Sequence, residues 1–335
     1  MDILTLAIET SCDETSVAIM KNGREIMSNI ISSQIETHRL FGGVVPEVAS
    51  RLHLEMINKI IETAVKEAKI KLSDIDHIAV TCGPGLIGAL IVGVSAAKAL
   101  SLSLDIPLNG VNHMQGHVCA NYIAHPDLKP PFVGLIVSGG HTYLIEVLNY
   151  NEYIIRGQTR DDAAGESYDK VARTLGLSYP GGPEIDKLSK LGNPESIDFP
   201  RIMLEPGSYD FSFSGLKTAV LNYINQKRQK NEEIVIEDVA ASFQQAVIDV
   251  LVVKSFRLLN ELKYKTLVLS GGVAANSSLR EALKKRADEE GVTLYFPPVS
   301  LCTDNAAMIG CAGYYDFIAG KRSELDLKVF PNLKL

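Results

Sequence analysis

Three segments of this chain share one pattern, in which an apolar strand runs into a short turn of glycine and small polar residues. They are residues 3–20, 131–148 and 266–276. In the first two, a second apolar strand follows the turn, as in a β-hairpin. The third leads into a helix predicted to begin near Ser277, with that serine as its N-cap. The repetition predicts duplicated lobes that face one another across a cleft.

Helical patterns separate these segments. Residues 46–70 and 237–262 each carry an apolar face, and residues 178–215 are rich in Pro, Gly and Asp with little periodicity. We predict an irregular insertion at a working surface for 178–215. Alternating strands and helices predict an α/β protein. We expect one lobe to comprise 1–128 with 305–335 and the other to comprise 129–304. The apolar face predicted for the first helix consists of Val48, Leu52, Met56, Ile60, Ala64 and Ala68.

The composition is typical of a soluble, folded chain. Of the 335 residues, 46% are hydrophobic and 22% are charged, which allows a sizeable core. No basic segment with a cleavage site opens the sequence, so we expect no secretory signal. Residues 86–104 are almost uncharged, but Lys98 and interspersed Ser and Gly favour a buried helix over a membrane span.

The cysteine pattern indicates the cellular compartment, and the net charge indicates which partners the chain can attract. The five cysteines form no CxxC pair, which fits a reducing cytoplasm better than a disulfide framework or a zinc ribbon. The net charge of −7 means that the chain as a whole does not attract polyanions. An RNA substrate would therefore need a local basic face or a partner that supplies affinity.

Three glycine turns have the composition of anion-binding loops. They are 138–142 (SGGHT), 270–272 (SGG) and 83–85 (GPG), and none is a P-loop. Glycine lets a phosphate approach the backbone closely, and N–H groups at the start of a following helix point at the anion. One such turn usually only reverses the chain, but three together favour a nucleotide site.

Two histidines have the spacing of metal ligands. His113 and His117 lie at i and i+4, on one face of a helix if 113–117 is helical. Spacing alone also fits, and more often indicates, two ordinary histidines on a half-buried face. Met114 stands where a zincin protease requires Glu, so proteolysis by that mechanism is disfavoured. Asp304, at the polar start of an apolar helix, is a candidate third ligand or alternatively a helix N-cap.

An acidic stretch, 160–170, places carboxylates at Asp162, Glu166 and Asp169, which helical spacing puts on one side. They could hold a ribose or orient a water, or they could be a solvated acidic helix start. Four further histidines have no partner nearby in the sequence, and we predict structural roles for them: His38, His53, His77 and His125.

Ten motifs in order resemble those of the bacterial TsaD family, the tRNA adenosine threonylcarbamoyltransferases once called O-sialoglycoprotein endopeptidases. They extend over essentially the whole chain. The motifs are IETSCDETS (8–16), FGGVVPEVASRLH (41–53), GPGLIGAL (83–90), HMQGH (113–117), VSGGHT (137–142), DDAAGESYDKVAR (161–173), YPGGPEID (179–186), FSFSGLKT (211–218), SGGVAANSSLR (270–280) and CTDNAAMI (302–309).

The resemblance implies the two-lobed fold of actin, sugar kinases and heat-shock ATPases (the ASKHA fold), with RNase H-like lobes around a nucleotide cleft. It implies transfer of threonylcarbamoyl from threonylcarbamoyl-adenylate to N6 of adenosine 37 in tRNAs that read codons beginning with A. His113, His117 and Asp304 would hold one divalent metal, with Fe²⁺ favoured over zinc. The adenylate would lie against Ile136, Val137, Ser138, Gly139, Gly140, Asp169, Gly182, Asp186 and Asn276.

The resemblance also implies partners, a TsaB-type paralogue and a TsaE-type ATPase, in the cytoplasm and without a membrane. Gln115 and Tyr143 depart from the residues common in the family, Glu and Gln, but neither is a ligand position. Three alternatives remain at this stage: a small-molecule kinase of the same fold, a nucleotide-binding platform that docks a related subunit, and a metallopeptidase.

Overall fold

The structure is a computed structural model that describes residues 2–202 and 207–335. These residues form strands and helices that alternate over much of the chain, as predicted. The strands are β1 (Leu4–Glu9), β2 (Glu14–Lys21), β3 (Glu25–Ser33), β4 (His77–Gly83), β5 (Leu108–Asn112), β6 (Phe132–Val137), β7 (Thr142–Asn149), β8 (Glu152–Gln158), β9 (Thr266–Ser270) and β10 (Thr293–Tyr295). The helices are α1 (Ile35–Arg39), α2 (Pro46–Glu67), α3 (Ile87–Leu104), α4 (His113–Ala124), α5 (Ala164–Thr174), α6 (Gly181–Ser189), α7 (Ser214–Gln229), α8 (Ile236–Leu262), α9 (Ser277–Glu290) and α10 (Ala306–Ile318).

The chain divides into two compact units. The first contains the residues up to Pro130 together with Asn149–Glu152 and Pro297–Leu335, and the second contains Pro131–Leu148 and Tyr153–Phe296. The division differs from the predicted one in two places, because Asn149–Glu152 and residues 297–304 group with the first unit and not with the second. Asp304 therefore lies in the same unit as His113 and His117.

The first unit is built on a five-stranded sheet in the order β3-β2-β1-β4-β5. β1 pairs antiparallel with β2 and parallel with β4, and β5 continues the parallel part. Side chains such as Leu6, Ile8 and Val80 are fully buried in its core. The predicted hairpin of residues 3–20 is confirmed by the pairing of Leu4 with Lys21 through Glu9 with Ser16.

The second unit repeats the same topology, which confirms the predicted duplication. Its sheet has the order β10-β9-β6-β7-β8, so β6 pairs antiparallel with β7 and parallel with β9, as β1 does with β2 and β4. The predicted hairpin of residues 131–148 is therefore the counterpart of residues 3–20. The third predicted segment, which contains β9, corresponds to the crossover strand β4 and is not a third copy of the hairpin.

Two details of the helices differ from the sequence-based expectations. The buried face of α2 is formed by Ala49, His53, Ile57, Ile60, Ile61 and Ala64, while Val48, Leu52 and Met56 are only half-buried. A row of every fourth residue drifts by about 40° per step around a helix, so it leaves the buried face within a few turns. Asn276, and not Ser277, is the N-cap of α9, because its side chain accepts the Leu279 N–H at 2.8 Å.

The predicted irregular insertion, 178–215, is wrong over Gly181–Ser189, which form α6. Glycine and proline at its start suggested a loop, but proline is tolerated in the first turn of a helix, where its missing N–H is not needed. The Gly181 N–H is instead used by the Asp169 carboxylate, at 2.7 Å. Residues 203–206 of this segment lie outside those that the structure describes.

Two helices, α3 and α8, are long and apolar enough to span a membrane by length and composition alone. In α8, 78% of the apolar window is buried, so it is a core helix of the second unit. In α3 only 33% is buried, and Ile87 and Ile91 remain exposed. The predicted burial of α3 is therefore correct for one face only.

His77 gives a testable dependence of stability on pH. The ring lies on β4, fully buried between the Thr5 hydroxyl at 3.2 Å and the Asn109 amide oxygen at 2.9 Å, and burial lowers its pKa from 6.5 to about 4. The unfolded chain then binds more protons between these two pKa values, so stability is lost as pH falls through this window. Between pH 7 and pH 5 we expect a loss of about 2 kcal/mol from this group.

Chemical denaturation of wild type and His77→Gln at both pH values tests this expectation. The variant should be less stable at pH 7 but should lose about 2 kcal/mol less than wild type on acidification. His125→Gln, a change at the C-terminal end of α4, should leave the wild-type difference in place. An equal loss in wild type and His77→Gln would contradict the assignment.

Candidate metal centre and glycine-rich turns

The two histidines lie where a strand gives way to a helix. Asn112 ends β5 and caps α4, its side chain accepting the Met114 N–H at 2.8 Å, so His113 and His117 occupy the first and second turns. Both side chains are buried, and their ring centroids are 4.6 Å apart. The segment is helical, as the metal-ligand interpretation of the spacing requires.

Asp304 joins the two histidines from the start of α10. Its Oδ1 lies 3.3 Å from Nε2 of His113 and 3.5 Å from Nε2 of His117. The alternative role, N-cap of α10, is taken by Asn305, whose side chain accepts the Met308 N–H. One ligand atom from each of the three residues lies within 4.8 Å of the others. Two imidazole nitrogens and one carboxylate oxygen suit Zn²⁺ or Fe²⁺ and leave positions open for substrate oxygens.

The electrostatics of this cluster favour a cation. Burial by itself lowers the pKa of His113, but Asp304 and Glu9 together raise it well above its usual value. Burial, Asp13 and Asp304 raise the pKa of Glu14 to about 9. Carboxylates crowded in a poorly solvated region are stabilised by a proton or by a metal ion. The cluster therefore fits a bound divalent ion on the chemistry of its donors and on its charge.

Glu9 belongs to the same cluster and was missed by the sequence analysis. It ends β1 with its side chain fully buried, and its Oε2 lies 2.8 Å from Nδ1 of His113. Ser11 also lies 3.2 Å from that nitrogen through its hydroxyl. The sequence carried a signal for both, since they are the polar residues that directly follow the apolar run of the first strand.

The turn 138–142 is open on the side of its glycines. The Ser138 N–H donates to the His141 carbonyl at 2.8 Å, and a Cβ added to Gly139 or Gly140 would meet nothing within 4 Å. Ile136 and Val137, at the end of β6, have fully buried side chains, so only their backbone could contact a ligand. The geometry allows a phosphate to approach the backbone of this turn.

In the turn 270–272, the space beside Gly271 is filled by neighbouring atoms, and the space beside Gly272 is open. Gly271 has φ +91°, and a Cβ there would lie 2.4 Å from the Val137 carbonyl oxygen, whereas a Cβ on Gly272 would meet nothing within 4 Å. Gly271 therefore serves the close packing of this turn against the end of β6. Gly272 leaves its backbone accessible.

The turn 83–85 does not have the predicted anion-binding geometry. A Cβ on Gly83 would lie 2.1 Å from the Phe330 carbonyl oxygen, and one on Gly85 would lie 2.5 Å from the Ser11 carbonyl oxygen. The Gly85 N–H donates to the Pro331 carbonyl at 3.1 Å. The C-terminal segment covers this turn, and its glycines are required for that packing.

The remaining predicted adenylate contacts fall in two places in the second unit. Asp186 on α6 accepts hydrogen bonds from the backbone and hydroxyl groups of Ser277 and Ser278 at the start of α9. Asn276 at the same point donates to Gln244 at 2.7 Å. The Asp169 carboxylate accepts the Gly181 N–H at the N-terminus of α6. The next residue is Gly182, where an added Cβ would meet nothing within 4 Å. Asp186 and Asn276 thus have internal partners that hold α9 in place.

Gln244 is a second residue that the sequence analysis missed. It is buried on α8, and its amide nitrogen donates to Ser189 at 2.7 Å and to Ser278 at 2.9 Å. Through Asn276 and Asp186 it links α6, α8 and α9. One of two adjacent glutamines, Gln244 and Gln245, within an amphipathic helix gave no sequence signal for this role.

The predicted acidic face of 160–170 does not form. Asp162 precedes α5 and pairs with Lys170 at 3.0 Å and with Lys217 at 2.5 Å, while Glu166 pairs with Lys170 at 2.7 Å. Asp169 is turned to α6 instead. The helix begins two residues after Asp162, so helical spacing did not apply to it.

Three of the four histidines with predicted structural roles are buried and hydrogen-bonded in the first unit. His38 contacts Gln34, His53 contacts Thr15, and His77 contacts Thr5 and Asn109. These contacts confirm the structural interpretation for the three. His125 lies at the C-cap of α4.

Two mixed sheets of identical strand order define the ASKHA class of fold, and solved structures agree. The chain is similar to full-length HypF in its phosphate- and nucleotide-bound form, with a TM-score of 0.63, 16% identity, and coverage of 95% of this chain and 47% of that one. It is also similar to component A of the Acidaminococcus fermentans (R)-2-hydroxyglutaryl-CoA dehydratase, with a TM-score of 0.55, 18% identity, and coverage of 95% and 100%. At these identities the likeness shows the fold alone.

The family follows from the sequence. Residues 25–311 match the sequence model of TsaD, tRNA N6-adenosine threonylcarbamoyltransferase. A protein of that name from Clostridioides difficile strain 630 is 62% identical over 334 residues, which cover 100% of this chain and 99% of that protein. One from Clostridium botulinum strain 657 is 56% identical over 330 residues, which cover 98% of this chain and 97% of that protein. The chain belongs to the tRNA N6-adenosine threonylcarbamoyltransferase family, which confirms the resemblance and the predicted transferase class.

Proposed function

We propose that this chain transfers the threonylcarbamoyl group of threonylcarbamoyl-adenylate to N6 of adenosine 37 in tRNAs that read codons beginning with A. It does so with one divalent metal ion held by His113, His117 and Asp304. The observation that carries the proposal is the convergence of these three side chains within 4.8 Å, in a chain that belongs to this transferase family.

The donor is a mixed carboxylic-phosphoric anhydride, which is already activated, so the reaction needs no serine or cysteine nucleophile. Adenine N6 is a weak nucleophile because its lone pair is delocalised into the ring. Alignment of the two substrates and stabilisation of developing charge therefore supply most of the rate enhancement. A divalent ion held by His113, His117 and Asp304 would supply Lewis-acid stabilisation of the charge on the carbamoyl oxygen.

The residues of the chain have separate tasks in this scheme. His113, His117 and Asp304 would hold the ion, and because both histidines are buried, opposing charges there are less screened by water. The open backbone at Gly139, Gly140, Gly182 and Gly272 accommodates the phosphate and ribose of the adenylate. Asp186 and Asn276 act by fixing the start of α9 beside that backbone.

Iron, as Fe²⁺, is the metal that we propose, with zinc as the alternative. The family resemblance favours iron, and the donor set of two imidazoles and one carboxylate accepts either. Elemental analysis of protein purified under anaerobic conditions distinguishes the two, since aerobic handling oxidises Fe²⁺.

We assign the exposed apolar residues of the first unit to a partner of TsaB type. Leu54 on α2 is 68% exposed, and Ile87 and Ile91 on α3 are also exposed, as are Ile26 and Ile31 on the edge strand β3. Large exposed apolar side chains on two helices that pack together, as α2 and α3 do, are the kind of surface that a partner covers. The resemblance further implies a TsaE-type ATPase and a cytoplasmic location, with no membrane.

One reconstitution tests the proposed function. The chain, with and without the two partners, is incubated with unmodified tRNA, threonine, bicarbonate, ATP and an adenylate-forming enzyme, and the nucleosides are analysed by mass spectrometry. We expect threonylcarbamoyladenosine in reactions with the chain and none with a tRNA that carries guanosine at position 37. Phosphorylation of a small molecule without a modified nucleoside would contradict the proposal in favour of the kinase alternative.

A further inference from the structure

We infer that Glu9 is a positioning residue that sets the tautomer of His113 and thereby prepares the metal centre. The inference rests on the proposed metal-binding role of His113, His117 and Asp304. It concerns a side chain on the far side of the His113 ring, which contacts the ring nitrogen that does not face Asp304.

The carboxylate of Glu9 is fully buried and accepts three hydrogen bonds or close polar contacts. Its Oε1 accepts the Ser11 backbone N–H at 2.5 Å. Its Oε2 accepts the Thr81 hydroxyl at 2.5 Å and lies 2.8 Å from Nδ1 of His113. A carboxylate oxygen is an acceptor, so the contact with His113 requires a proton on Nδ1.

A proton on Nδ1 leaves Nε2, the other ring nitrogen of His113, free of a proton and able to bind a metal ion. When Nδ1–H donates to Glu9, Nε2 of His113 can direct a lone pair toward the point where His117 and Asp304 converge. Carboxylates that orient ligating histidines in this way also raise the basicity of the ligand. Glu9 thus fixes both the orientation and the tautomer that metal binding requires.

Glu9→Gln is the discriminating substitution because the amide keeps the shape but cannot satisfy the same donors. If its NH₂ group replaces Oε1, it faces the Ser11 N–H, which can only donate. If it replaces Oε2, it donates to Nδ1 of His113 and selects the tautomer with the proton on Nε2. That proton then occupies the direction of the metal.

The test measures metal binding directly on the full chain. We expect Glu9→Gln to weaken Zn²⁺ binding by roughly 10- to 100-fold in competition with a chelating dye, and to change the visible spectrum of bound Co²⁺. Glu146→Gln is the matched control, since it changes a buried carboxylate of the second unit that accepts hydrogen bonds from Tyr264 and Arg156. It should bind Zn²⁺ as wild type does.

A second variant keeps the test decisive if Glu9→Gln does not fold. Glu9→Asp retains the charge but withdraws the carboxylate by about 1.5 Å, so it should also lose affinity. Wild-type affinity, within roughly threefold, in either folded variant would overturn the positioning role. A wild-type chain that binds neither Zn²⁺ nor Co²⁺ would instead overturn the metal centre itself, and this inference with it.

Discussion

Asp304→Ala is expected to abolish metal binding and to lower the rate of threonylcarbamoyl transfer by about 10³-fold or more, equivalent to about 4 kcal/mol of transition-state stabilisation. Asp304 is the one carboxylate among the three proposed ligands, and its Oδ1 is the atom that both histidine Nε2 atoms approach. Without it, two neutral imidazoles remain as ligands, and the buried charge that balances a cation is reduced.

Two measurements check this expectation. Metal content by elemental analysis should fall to background, and the yield of threonylcarbamoyladenosine from tRNA should fall with it. Binding of AMP should persist, because the open glycine turns lie in the second unit and do not involve Asp304. Asp288→Ala, an exposed aspartate on α9, serves as the control and should retain metal and activity. Full transfer by Asp304→Ala in the absence of bound metal would contradict the proposed mechanism.

Gly271→Ala is expected to lower the free energy of unfolding by about 3 kcal/mol. The residue has φ +91°, which strains any L side chain, and its Cβ would lie 2.4 Å from the Val137 carbonyl oxygen. The clash is with backbone, so relief requires the end of β6 or the start of the 270–272 turn to move. The end of β6 carries the predicted adenylate contacts Ile136 and Val137, and Gly272 lines the proposed adenylate site, so we expect weaker AMP binding as well.

The neighbouring glycine offers a matched control for this substitution. Gly272→Ala adds the same methyl group one residue later, where a Cβ would meet nothing within 4 Å. Denaturation curves should show a change in stability within about 0.5 kcal/mol for Gly272→Ala, against the large loss for Gly271→Ala. If the adenylate approaches this backbone, Gly272→Ala should still weaken AMP binding. Equal stability of the two variants would show that the close packing at Gly271 is not a stability determinant.

The fold was largely predictable because its signals are local. A strand, a small polar turn and a return strand occur at residues 3–20 and again at 131–148, and the structure shows the same sheet topology around each. Predictions failed where a local rule has a common exception. Glycine and proline at 180–183 suggested a loop, yet they begin α6, and the GPG turn at 83–85 is covered by the C-terminal segment.

The candidate metal centre shows which contacts a sequence pattern can predict and which it cannot. The spacing of His113 and His117 predicted a shared helix face, and α4 provides it. Asp304 is far from His117 in the chain; its place at the polar start of an apolar helix made it only a candidate third ligand, and the family resemblance then linked it to the histidines. The contact of Glu9 with His113 spans 104 residues and had no sequence signal of its own as a partner.

By itself, the sequence determined the class of fold, the duplication and the family, because strand alternation, glycine turns and ordered motifs are properties of neighbouring residues. Only the tertiary structure decided which glycine turns are open and which carboxylates already have internal partners. It also decided that buried Glu9 contacts Nδ1 of His113, a proposed metal ligand. These depend on contacts between residues distant in the chain, whose distances and hydrogen bonds are set by how strands and helices pack.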